Sequence, residues 1–163
     1  MKRALKYVGE DQKLIAMLRK ETQASGWQWT EIRGYQELES CLRRRNHSRF
    51  PDKLSSGVEY QRWLRDRFAP IILELDFDQA GAAEVVRNIR KLDWGVPVIV
   101  LSRQATLTSY AIARMNGATA FFARPLENLK DLIETIQTAF EANERWERTL
   151  VQLQKEYNSV ACI

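Results

Sequence analysis

Two pairs of closely spaced acids, Glu10–Asp11 and Glu74 with Asp76, together with Ser102 and Arg124, are the side chains whose types suit chemistry if the fold brings them together. The chemistry open to such a set is that of charges: carboxylates facing a hydroxyl and a permanently ionised guanidinium. Other chemistries lack their parts. There is no phosphate-binding glycine loop, no nucleophile elbow and no catalytic histidine pattern, so a small-molecule enzyme is not expected. Cys41, Cys162 and the single His47 form no metal-ligand spacing, and two distant cysteines suit a reducing cytoplasm rather than a disulfide framework.

The elements that would position these residues can be read from hydrophobic periodicity. Ala4–Gly9 reads as a strand, followed by a helix with Leu14, Ile15, Met17 and Leu18 on its apolar face and Ser25-Gly26 at its end. Trp27–Ile32 alternates as a half-buried strand does, and Tyr35–Arg45 is helical. Pro70–Leu73 and Val96–Leu101 are continuous apolar runs of the kind buried on both faces. Between and after them come helices over Ala82–Leu92 and Leu107–Asn116, a fifth strand over Ala118–Ala123, and a long helix opening at Pro125. Five strand–helix alternations imply right-handed crossovers and an α/β fold: a five-stranded, doubly wound parallel sheet. In such sheets ligands gather at the carboxyl ends of the strands. Glu10, Asp11, Glu74, Asp76, Ser102 and Arg124 all fall there.

In order and spacing these residues resemble a response-regulator receiver domain, a flavodoxin-like fold. The resemblance is best from Leu73 to Leu126. Pro97-Val98-Ile99-Val100-Leu101-Ser102 is similar to the fourth strand with its switch hydroxyl. Gly117 to Leu126 is similar to the fifth strand, with Phe121 as switch aromatic ahead of a basic residue–Pro pair, here Arg124-Pro125. Val8-Gly9-Glu10-Asp11 is similar to the acidic cluster after the first strand. The resemblance implies phosphotransfer: an aspartate ending the third strand accepts a phosphoryl group from a histidine kinase. A Mg²⁺ ion neutralises the developing charge, and a lysine and a hydroxyl bind the phosphoryl oxygens.

The sequence departs from that pattern at most stations. Without a gap, Glu74 takes the acceptor position; with a shorter following loop, Asp76 does. Arg124 stands for the lysine, a wider fork that is not interchangeable with an ammonium. Gly9 stands for one of the acids, so a Mg²⁺ ion would draw on Glu10, Asp11 and Glu74 and be short of a ligand. Glu74 and Arg124 could pair with each other instead and hold one state of the domain. The expectation is an atypical receiver, a non-enzymatic pseudo-receiver without a cofactor, which signals through a kinase or output partner. A working phosphoacceptor, with its site at Asp76 or Glu74, is one alternative, and a nucleic-acid-binding regulator acting through a basic insertion is the other.

Two segments exceed the receiver pattern. Residues 1–140 make the receiver-like domain, with an insertion at about 46–68 between the second helix and third strand; 141–163 extend the last helix. From Arg43 to Arg67 there are eight basic residues against three acids, so this stretch alone makes the chain basic. Arg43, Arg44, Arg45 and Arg49 could form an anion-binding surface, and Tyr60 and Trp63 offer stacking partners, but no nucleic-acid recognition motif accompanies them. In the last helix, Leu129, Ile136, Asn143, Leu150 and Tyr157 recur every seven residues, with Leu132, Ala139, Trp146 and Leu153 as a second seam. That pattern suggests a parallel coiled-coil homodimer with Asn143 setting register. No stretch is apolar and long enough to span a membrane, and a cytoplasmic location is expected.

Overall fold

The computed structural model describes residues 3–23, 26–47, 69–77 and 81–160. In chain order the elements are β1 (Arg3–Val8), α1 (Gln12–Gln23), β2 (Trp27–Ile32), α2 (Tyr35–His47), β3 (Ile71–Glu74), α3 (Ala82–Leu92), β4 (Val98–Ser102), α4 (Leu107–Met115), β5 (Ala120–Ala123) and α5 (Leu129–Val160). The five strands form one sheet in the order β2-β1-β3-β4-β5, and every pairing is parallel. The doubly wound architecture read from the alternation is therefore the observed one. Most of the inserted segment, residues 48–68, lies outside the described residues.

Neighbouring residues of the central strands point to opposite faces, and each face is buried. Ile72, Ile99 and Leu101 join Leu14, Ile15, Leu18, Leu132, Ile136 and Phe140 on the α1/α5 side. Ile71, Leu73, Val98 and Val100 join Leu38, Leu42, Val86 and Ile89 on the other. This is why β3 and β4 read as continuous apolar runs. Met17, expected on the apolar face of α1, is half exposed. Thr22 takes a buried place instead: its hydroxyl donates to the Leu18 carbonyl at 2.7 Å and accepts from the Trp29 indole at 2.8 Å.

The last helix starts at Leu129, four residues later than Pro125 suggested. Asn128 sets the start, since its Oδ1 accepts from the Lys130 backbone N–H at 3.0 Å. The helix then runs 32 residues without interruption, so the boundary placed at 140/141 falls inside one element. Leu132, Ile136, Ala139 and Phe140 are buried, and Leu129 packs against the same cluster. Asn143, expected in the seam of a homodimer, places Nδ2 3.3 Å from the carbonyl of Gly95 in the α3–β4 loop of its own chain. Leu129, Ile136 and Asn143 thus have contacts within the chain. Beyond them Trp146 and Leu153 are exposed, while the side chains of Leu150 and Tyr157 lie outside the described residues.

Candidate functional site

Parallel strands end together, and the chain leaves the sheet at that edge with its polar residues. After Val8, Gly9 and the exposed Glu10 lead to Asp11, which caps α1: its Oδ1 accepts from the Leu14 N–H at 3.0 Å. Glu74 is the last residue of β3, opposite Leu101 of β4. Arg124 follows β5 and is held in register by its N–H, which donates to the Ser102 carbonyl at 2.7 Å.

Arg124 joins the first two groups. Its Nη1 lies 2.9 Å from Glu74 Oε2 and its Nη2 2.5 Å from Asp11 Oδ2. The remaining oxygen of Glu74, Oε1, accepts from the Asp11 backbone N–H at 3.1 Å and from the phenol of Tyr7, which is fully buried. All four carboxylate oxygens of the pair therefore have donors. Burial, and then the hydrogen bond to Glu74, push the Tyr7 phenol far above its ordinary pKa, so it remains a donor. The N–H of Leu14 holds the Asp11 carboxyl below its ordinary value, with Arg124 adding to the effect against burial.

Gly9 makes this cluster possible. A Cβ at residue 9 would stand 2.4 Å from Glu74 Cδ and 2.5 Å from Cγ. The extra methylene of a glutamate is housed where residue 9 has no side chain, so the two departures from the receiver pattern are one steric solution.

Asp76 lies beyond the end of β3 and faces a different partner. Its Oδ1 accepts from the Arg103 N–H at 2.8 Å and lies 3.3 Å from Ser102 Oγ; its Oδ2 receives Arg103 Nε at 2.7 Å and Nη2 at 2.5 Å. Burial opposes ionisation of Asp76, but the Arg103 side chain and N–H outweigh it and lower its pKa. The two candidate acceptor carboxylates are thus divided: Glu74 faces Arg124, and Asp76 faces Ser102. Phe77, next to Asp76, lies 6.1 Å from the ring of Phe121, which also meets Tyr110 of α4 edge-on at 6.1 Å.

A divalent cation, which the receiver resemblance implies, does not fit these residues as arranged. The Arg124 guanidinium lies between Asp11 and Glu74, and Glu10 is not drawn into the cluster. Among the described residues no group of three or more His, Cys, Asp or Glu side chains is placed to hold a metal.

Sequence reasoning missed Tyr7 and Arg103. Tyr7 is indistinguishable from any core residue of a strand, whereas Arg103 could have been suspected from its place directly after the switch hydroxyl. Of the proposed anion-binding arginines, Arg43 pairs with Glu39 at 2.6 Å and Arg44 donates to the Ser40 carbonyl at 3.3 Å. Arg49 and the side chain of Arg45 lie outside the described residues. No described helix is long and apolar enough to cross a membrane.

No protein-family model matches the sequence. The chain is 27% identical over 103 residues to the transcriptional regulatory protein GlrR of Escherichia coli K12; this covers 59% of the chain but only 23% of that protein. Its structure is similar to a CheY-like response regulator receiver domain protein from Methanospirillum hungatei, with a TM-score of 0.60 at 16% identity, over 89% of this chain and 98% of that one. A response regulator from Thermotoga maritima gives a TM-score of 0.62 at 16% identity, over 86% and 99%. With the sheet order and the placement of its charged residues at the strand ends, these likenesses establish that the chain has the receiver fold of response regulators.

Proposed function

We propose that this chain is an atypical receiver, or pseudo-receiver, of two-component signalling whose site is neutralised by its own residues. It works without aspartyl phosphorylation, Mg²⁺ or enzymatic turnover, as a regulatory module contacting a kinase or output protein in the cytoplasm. The observation that carries this reading is Arg124 bound to Glu74 and Asp11 together. A receiver needs two things at the acceptor: an oxygen free to attack phosphorus, and a cation that neutralises the charge transferred. Here the strand-end carboxylate has both oxygens engaged by donors, and a guanidinium supplies the positive charge. Asp76, the other carboxylate, has its oxygens engaged by Arg103 and the Ser102 corner.

Homodimerisation through α5 belongs to the same reading. It is supported by Trp146 and Leu153, seven residues apart and 66% and 55% exposed on the part of the helix that follows the buried Phe140.

Incubation with acetyl phosphate and Mg²⁺, followed by intact-mass measurement, tests the site. The expected result is no added phosphoryl mass under conditions that modify an ordinary receiver run in parallel. A stable adduct on Glu74 or Asp76 would establish the phosphoacceptor alternative.

A further inference from the structure

We propose that the indole of Trp94, in the loop between α3 and β4, is a docking point for the distal half of α5 of a second copy of this chain. This rests on the α5 dimer proposed above and gives that dimer a second element. Trp94 is 83% exposed, although tryptophan is highly buried on average. Its backbone is nonetheless anchored from several sides. Arg90 Nη1 donates to the Trp94 carbonyl at 2.8 Å and to the Val96 carbonyl at 2.7 Å. The buried Asp93 accepts from the Gly95 N–H at 3.1 Å, and Asn143 Nδ2 lies 3.3 Å from the Gly95 carbonyl. An indole held out on an anchored backbone loses little freedom on association, as an interface anchor requires.

The Asn143 contact ties this loop to α5. Trp94 is one residue from the contact on the loop, and Trp146 is three residues from it on the helix, so two exposed indoles flank one junction. Leu153, seven residues beyond Trp146, lies on the same side of the helix. Among the described side chains of α5, none beyond Phe140 is buried.

Area and spacing point to a second copy as the occupant. A stable interface takes ~800 Å² from each partner, and a buried tryptophan supplies ~150–250 Å² of it. Trp146 and Leu153 fall well short of that, and Trp94 doubles the tryptophan contribution. In a two-fold dimer the same patch serves both chains, so each presents an indole pair and receives one. The seven-residue step between Trp146 and Leu153 is the period at which helices pack along one another.

Sedimentation equilibrium of the full chain at micromolar concentration, compared with Trp94→Ala, tests the proposal. Trp94→Ala removes exposed surface and keeps the carbonyl that Arg90 binds, so its far-UV circular dichroism should match that of the unmodified chain; should it not, Trp94→Gln takes its place. The dimer of the variant is expected to dissociate at least about tenfold more readily. Leu107→Ala, which truncates an 84% exposed side chain at the start of α4, should leave the dissociation constant within about twofold. If Trp94→Ala dimerises as tightly as the unmodified chain while Trp146→Glu/Leu153→Glu does not dimerise, the part given to Trp94 is overturned and the α5 dimer stands. A monomeric unmodified chain would overturn both. A dimer that needs Trp94 but survives Trp146→Glu/Leu153→Glu would overturn α5 as the occupant, and a loss in Leu107→Ala as large as in Trp94→Ala would overturn the place given to the loop.

Discussion

At the scale of single residues the site is a set of mutual dependencies. Glu74 needs the space left by Gly9, the phenol of Tyr7 and the guanidinium of Arg124; Asp11 needs Arg124 and the first turn of α1. Gly9→Ala is therefore expected to destabilise the fold by ~1–3 kcal/mol, the usual cost of overpacking. Glu74→Asp, one methylene shorter, should relieve part of that cost. Urea unfolding of the two single variants and the double variant checks this: the double should be less destabilised than the sum, and strict additivity would mean that the two residues do not share the space. The acids also give a signed pH dependence. Asp11 and Asp76 have folded pKa values below their ordinary ones, so their contribution is fully present above the unfolded value of ~3.9 and is lost as pH falls through the lowered folded values. Denaturant midpoints from pH 6 down to about pH 2 should fall accordingly, and less steeply in Asp76→Asn. An unchanged slope in that variant would show that Asp76 is not held as described.

At the scale of elements, the strands and α3 were legible because their signals are local. Trp27–Ile32 alternates, Ala82–Leu92 repeats every three to four residues, and β4 is an unbroken apolar run. The start of α5 was misread because a proline is a good first helical residue, while the actual cap depends on the side chain of Asn128. The acidic edge was legible as a set, since topology alone collects strand ends. The assignment of partners was not, because it depends on side chains that cross between strands 26 to 113 residues apart in sequence. Arg90 illustrates the same point away from the site. Its guanidinium donates to the carbonyls of Trp94, Val96 and Gly117 and to the Thr119 hydroxyl, tying the end of α3 to the loops entering β4 and β5. Arg90→Ala is expected to cost about 2–4 kcal/mol, because it strands several acceptors at once. Chemical denaturation measures this, and a loss below about 0.5 kcal/mol, the range of ordinary surface substitutions, would contradict the role given to Arg90.

At the scale of the whole molecule, the charged site and the distal half of α5 lie at opposite ends of the sheet. α5 begins beside the carboxyl end of β5, passes the amino-terminal side of β4 where Asn143 meets Gly95, and continues to Val160. Residues 144–160 add ~25 Å of helix at 1.5 Å per residue beyond that contact. Among the described side chains of this part, Trp146 and Leu153 are exposed large apolar groups, so Trp146→Glu/Leu153→Glu should shift a dimer toward monomer without unfolding the domain. Light scattering at micromolar concentration checks it; an intact chain that is already monomeric would exclude dimerisation through α5.

In the function proposed above, the Arg124 guanidinium neutralises the site in place of a bound cation. The most direct test titrates Mg²⁺ into the unmodified chain and into Gly9→Asp/Glu74→Asp/Arg124→Lys, following the thermal midpoint of each. The variant returns an acid, an aspartate and a lysine to the positions where the resemblance places them. Millimolar Mg²⁺ is expected to raise the midpoint of the variant and to leave that of the unmodified chain unchanged. A Mg²⁺-dependent rise in the unmodified chain would contradict it.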